Sequence, residues 1–197
     1  MKFILASGNT HKAQEFSELL DPNILEVSAA SEKLEVEENG VSYNENAFLK
    51  AKAYYDRFQL PVLSDDSGLN VAAIPNELGI HSARFGGDGL TDKDRALLLL
   101  EKMKNIDNRD ANFTCVLCFY LNPQEIFFFE GRLQGKIGRE YLGEHGFGYD
   151  PIFHGLGPFE DQTVAQVPEW KHENSHRSKA CKSALKFFKE RNCQIDS

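Results

Sequence analysis

The stretch Pro61-Val62-Leu63-Ser64-Asp65-Asp66-Ser67-Gly68-Leu69-Asn70-Val71-Ala72-Ala73-Ile74 decides how this chain is read. Its apolar ends predict two short strands, 61–63 and 69–74, and its polar middle predicts a turn between them. Two adjacent carboxylates beside an apolar strand cannot both be buried without a cation or a network of donors. The pair therefore marks a candidate site, and a hard divalent cation is one solution to its charge.

On the N-terminal side, Lys2 to Ala6 predicts a strand, followed by the polar run Ser7-Gly8-Asn9-Thr10-His11-Lys12. A helix then spans 11–20, with Ala13, Phe16, Leu19 and Leu20 on one face. Unpaired N–H groups of its first turn attract anions, and Lys12 adds a full charge. The run lacks the G-x-x-x-x-G-K-[ST] pattern of a P-loop. The acidic stretch Glu35-Val36-Glu37-Glu38-Asn39-Gly40 precedes a second helix, 44–58, with Ala47, Phe48, Ala51, Tyr55 and Phe58 inward. Glu37 or Glu38 is the best supply of a further oxygen ligand beside the Asp pair.

On the C-terminal side, Thr91-Asp92-Lys93-Asp94 has the spacing of a capping box and opens a helix through Lys104. Strands are predicted over 113–121, 126–130 and 132–137, the first two joined by the turn Asn122-Pro123-Gln124. A glycine-rich loop, 143–157, contains Phe147-Gly148-Tyr149-Asp150, whose aromatic face and single acceptor suit a base. Lys171 and Ser175-His176-Arg177 place cationic donors before a last helix, capped by Ser175 or Ser178, that buries Ala180, Ala184, Leu185 and Phe188.

Bulk properties narrow the function. The chain has 197 residues and a net charge of −8, which argues against a nucleic-acid polymer as partner, since such binding rests on many Lys and Arg contacts to phosphates. The apolar run at Met1–Ala6 is too short for a signal segment and nothing later approaches a membrane span, so a cytosolic protein is expected. No repeat or linker interrupts the chain, and one domain over 1–197 with a mixed α/β sheet is predicted. Cys115 and Cys118 lie three apart on a predicted strand and so face opposite sides, which leaves them as core cysteines. His172-Glu173-Asn174-Ser175-His176 fits the H-E-x-x-H zinc pattern, but its polar, cap-like setting lacks the apolar stripe of a core helix.

Taken in order, these islands resemble the inosine triphosphate pyrophosphatase family. The resemblance rests on Ser7-Gly8-Asn9-x-x-Lys12-x-x-Glu15, Glu37-x-x-Gly40 with Glu45-Asn46-Ala47, and Ser64-Asp65-Asp66-Ser67-Gly68-Leu69. Ser82-Ala83-Arg84-Phe85, Phe147 to Phe153 and Lys171-x-x-x-Ser175-His176-Arg177 complete it. It implies an elongated mixed sheet of two lobes flanking an active-site cleft, usually as a homodimer, and Mg²⁺-dependent hydrolysis of ITP, dITP and XTP to the monophosphate and pyrophosphate. Asp66 would be metal ligand and general base, and Glu37 a second metal contact. Ser7, Gly8, Asn9, Thr10, His11, Lys12 and Ser67 would cradle phosphate; Phe147, Gly148, Tyr149, Asp150, Lys171, His176 and Arg177 would hold base and polyphosphate. Selectivity for a 6-oxo purine would come from His176 or Arg177. A nucleotide-binding regulator without turnover is the rival of another class.

Overall fold

The computed structural model describes residues 1–7 and 10–195, with the side chains of 10, 11 and 192–195 left aside. The predicted turn at the Asp pair is absent: Val62–Val71 form one continuous strand, β3, that carries Ser64, Asp65, Asp66 and Ser67 within it. The polar run continues as strand because each side chain finds a partner on its own face, so the backbone has no reason to leave the ladder. Gly68 is part of the same device. A Cβ there would lie 2.1 Å from the Gly79 carbonyl oxygen, so only glycine lets that backbone pass.

The remaining strands are β1 (Lys2–Leu5), β2 (Glu26–Ala29), β4 (Asp110–Asn122), β5 (Glu125–Ile137) and β6 (Phe153–Gly155), in the sheet order β2-β1-β3-β4-β5-β6. β1 runs parallel to β2 and β3, whereas β5 and β6 are antiparallel, so the sheet is mixed, as expected. β4 and β5 are joined by Pro123 and Gln124 alone, a link that only a hairpin can use. Two predicted strands, 126–130 and 132–137, are thus one strand through Gly131. The helices are α1 (Thr10–Leu19), α2 (Tyr43–Phe58), α3 (Asp92–Lys102), α4 (Pro168–Asn174) and α5 (His176–Ile195). The capping box of α3 forms as predicted, with Thr91 and Asp94 each bonding the other's backbone N–H. Ser175 lies between α4 and α5, and Ser178 is inside α5 rather than its cap. The glycine-rich loop is also more structured than expected: it holds a 3₁₀ turn at Asp150–Ile152 and β6.

Contacts divide the chain into two units. The first comprises Met1–Asp66, Cys115–Gly131 and the chain from Arg177 on; the second comprises Ser67–Thr114 and Arg132–His176. In the first unit strand alternation sends Phe3, Leu5, Leu63, Cys115, Leu117 and Phe119 to one apolar cluster with Phe16, Ala184 and Phe188. Ala6, Val62, Val116, Cys118 and Tyr120 go to another with Ala47, Ala51 and Tyr54. Cys115 and Cys118 therefore occupy opposite faces, and burial pushes both thiols up to about 12. The deep residue in the second half of α2 is Tyr54 rather than Tyr55, its hydroxyl accepting the Leu34 N–H at 3.0 Å. In the second unit Leu69, Val71, Leu99, Met103, Phe113, Ile137 and Phe153 form the core.

Candidate active site

The period of two along β3 gives consecutive carboxylates different surroundings. Asp65 follows Leu63 onto the α1 and α5 side. There its Oδ2 lies 2.8 Å from Lys12 Nζ and 3.5 Å from a guanidinium nitrogen of Arg177. Arg177 is itself fully buried, bonded to Glu15 and set over the Phe16 ring. Burial alone would raise the Asp65 carboxyl, but the charges of Lys12, Arg177 and Lys50 outweigh it and hold the group well below the usual carboxylate range. Asp65 is thus a fixed anion.

Asp66 follows Val62 and Ser64 onto the α2 side. Ser64 Oγ donates to the Ala47 carbonyl at 2.5 Å, seating β3 on the helix. Asp66 Oδ2 accepts from Asn46 Nδ2 at 3.2 Å, and Oδ1 lies 3.9 Å from Lys50 Nζ, which is 3.0 Å from Glu38. Burial pushes the Asp66 carboxyl up to about 6; Asp65 and Glu38 act in the same direction, while Lys50 and Asn46 oppose them. The two neighbours on β3 are therefore pushed apart, Asp65 downward and Asp66 up to about 6 in the metal-free protein. That division of labour suits one structural anion and one acid–base group.

The other predicted residues of this unit are placed unevenly. Ser7 is half-buried just after β1. Gly8 and Asn9 lie outside the described residues, as do the side chains of Thr10 and His11. Glu37 is exposed; the carboxylate joined to Asp66, through Lys50, is Glu38. Arg177 was expected to hold the base and polyphosphate; its buried guanidinium lies between Glu15 and Asp65.

The second unit assembles the remaining set around Asp150. Its buried Oδ2 accepts from the Phe147 N–H at 2.9 Å and from Lys171 Nζ at 2.8 Å, and Lys171 also sits 5.0 Å from the centre of the Phe147 ring. Gly146, at φ +81°, has no room for a Cβ, which would meet Asp150 Oδ2 at 2.2 Å. Gly148 N–H donates to Asp92 at the start of α3. Tyr149 is buried and its hydroxyl donates to the Ser82 carbonyl at 2.7 Å, so the half-buried Phe147 is the aromatic face this loop offers. Ser82 also bonds both backbone groups of Leu69, tying the loop's anchor to β3. Ser67 is half-buried where β3 enters this unit. His176 stacks on Phe113 at 4.9 Å. His172 lies on α4 and is exposed whereas His176 opens α5, so the zinc pattern is split between two helices.

Sequence reading left Lys50 and Asp92 out of the site and gave Asn46 and Ser82 no role. A signal existed for the α2 pair: Asn46 and Lys50 are one turn apart and interrupt the apolar stripe of Ala47 and Ala51. Asp92 had none, because its bond to Gly148 spans 56 residues.

Comparison with known proteins gives the chain its family. The Ham1 family matches residues 3–187. The dITP/XTP pyrophosphatase of Aquifex aeolicus is 41% identical over 98% of this chain and 98% of its own, and that of Leptospira interrogans is 41% identical over 94% and 95%. The structure of the Staphylococcus aureus Ham1 protein superposes with a TM-score of 0.85 at 36% identity, covering 97% of this chain and 100% of that one. A nucleoside-triphosphatase, dITP/XTP pyrophosphatase, from Mycobacterium abscessus gives 0.74 at 36% identity over 94% and 99%. With the family's match running from β1 into α5 and its solved fold reproduced, the chain belongs to the Ham1 family.

Proposed function

We propose that this protein hydrolyses non-standard purine nucleoside triphosphates (ITP, dITP and XTP) to the monophosphate and pyrophosphate. The observation that carries the reading is the seat of Asp66: a buried carboxylate beside Lys50 and held by Asn46. A carboxylate fixed in this way can orient a water and take its proton. The activity named for the Aquifex and Leptospira relatives supports the same chemistry.

In this reading Asp66 takes the proton of the attacking water, and Lys50 and Lys12 neutralise phosphate charge. Ser7 to Lys12 and Ser67 bind the triphosphate. Phe147 stacks on the base, Asp150 and Lys171 hold that face in place, and His176 supplies the donor that favours a 6-oxo purine over adenine, where an amino group would leave it unpaired.

Mg²⁺ fits the donor set. Among the described residues no three of His, Cys, Asp and Glu converge, yet Mg²⁺ characteristically takes one or two carboxylates and completes its shell with water and substrate phosphates. Asp66 with Glu37 or Glu38 would hold it, and the negative charge of Glu38 near Asp66 favours a cation there. When bound, the ion would neutralise phosphate oxygens. The reading includes a homodimer in the cytosol; no helix among the described residues is long and apolar enough to cross a membrane.

The test is pyrophosphate release from ITP and XTP beside ATP and GTP, with Mg²⁺, with EDTA and with EDTA plus zinc. Mg²⁺-dependent release from ITP and XTP is expected. Binding without release under any condition would favour a regulator.

A further inference from the structure

Two consecutive side chains at the start of α2 grip two consecutive N–H groups of the preceding segment. Glu45 Oε2 accepts from the Val41 N–H at 2.7 Å, and Asn46 Oδ1 accepts from the Gly40 N–H at 2.9 Å. Asn46 is completely buried, so each end of its amide needs a partner. Its orientation follows from chemistry: a backbone N–H can only donate, so the oxygen faces Gly40 and the NH₂ group faces Asp66, where it donates to Oδ2 at 3.2 Å. The fit is tight at the other end as well. A Cβ on Gly40 would lie 2.7 Å from Asn46 Oδ1 and 2.7 Å from Glu45 Cβ, so glycine is required for the segment to come this close.

We infer that Asn46 is a positioning residue that fixes the rotation of the Asp66 carboxylate and ties it to the acidic segment 37–40. By engaging Oδ2, it sets the rotation that turns Oδ1 toward Lys50. The two oxygens of Asp66 are thereby distinguished: Oδ2 is bonded to the Asn46 amide and Oδ1 lies on the Lys50 side. Gly40 takes part from the far end, because any side chain there pushes on the amide. The inference rests on the proposed role of Asp66 in the pyrophosphatase reaction.

Two variants test it. Asn46→Ala removes the donor to Asp66 together with the acceptor for the Gly40 N–H. Gly40→Ala keeps both residues and pushes on the Asn46 amide with one added methyl group. Each should lower kcat for ITP about 100-fold, the cost of a misplacement on the ångström scale, with KM little changed. Affinity for ITP in EDTA, measured by calorimetry, should stay close to that of the unaltered protein. Unchanged kcat in both variants would overturn the inference, as would a loss of rate that merely follows a loss of folded protein in thermal melts. If the unaltered protein releases no pyrophosphate, the proposed function fails on its own. A crystal structure of Gly40→Ala then decides the positioning claim: a turned Asp66 carboxylate supports it, and an unmoved one refutes it.

Discussion

Asp65 and Asp66 are neighbours on β3 and are held by opposite partners: Asp65 by Lys12 and Arg177 on the α1 and α5 side, Asp66 by Asn46 and Lys50 on the α2 side. Removing either carboxylate therefore has a different result. Asp66→Asn should cost at least about 100-fold in kcat while the fold survives, since a neutral amide can still accept from Asn46. Asp65→Asn leaves Arg177 buried with Glu15 as its remaining acidic partner in this group, and should cost about 3–5 kcal/mol of stability. Urea denaturation beside steady-state kinetics separates the two effects, and a Asp66→Asn protein with full activity would remove it from the chemistry.

Opposite shifts give opposite pH dependences in the metal-free protein. Asp65 is depressed on folding, so its contribution is present above its ordinary value of 3.8 and is lost as the pH falls below it. Asp66 is raised, so its contribution is present below 3.8 and is lost as the pH rises through about 6. In EDTA, Asp65→Asn should flatten the acid limb of a stability profile and Asp66→Asn the limb between about pH 4 and about pH 7. Profiles that keep both limbs would contradict the assignment.

How much of this was legible in the sequence is clearest on β3. The composition Ser-Asp-Asp-Ser-Gly carries every sign of a turn, and local signals could not reveal that Lys12, Arg177, Asn46 and Lys50 arrive from distant segments to satisfy each side chain. Position, not composition, kept it a strand. The same cause hid β2, whose Glu26-Val27-Ser28-Ala29 is an edge with little buried surface, and joined two predicted strands across Gly131. Elements with a clear period, α1, α2, α3 and β4, were readable to within a few residues. The opposite faces of Cys115 and Cys118 followed from strand parity alone.

Three thiols should be inert in the native state. Cys115, Cys118 and Cys181 are buried and burial pushes their ionisation upward, so a thiol reagent at neutral pH should label them only at the rate of unfolding. Fast labelling of any of the three, located by mass spectrometry, would show that the apolar clusters open.

Tyr149 and Lys171 should separate structure from binding. Tyr149→Phe removes the bond to the Ser82 carbonyl and should lower stability by about 1 kcal/mol with little change in KM. Lys171→Met deprives Asp150 and Phe147 of one cation at once and should raise KM for ITP several-fold. A larger KM effect from Tyr149→Phe than from Lys171→Met would reverse these roles.

The alternation along β3 also bears on which sequence changes this protein can survive. A single inserted or deleted residue between Val62 and Asp66 would exchange the faces of everything beyond it, carrying Asp66 into the environment of Asp65. Substitutions can be absorbed one face at a time along β3, but a change of length there alters both faces at once.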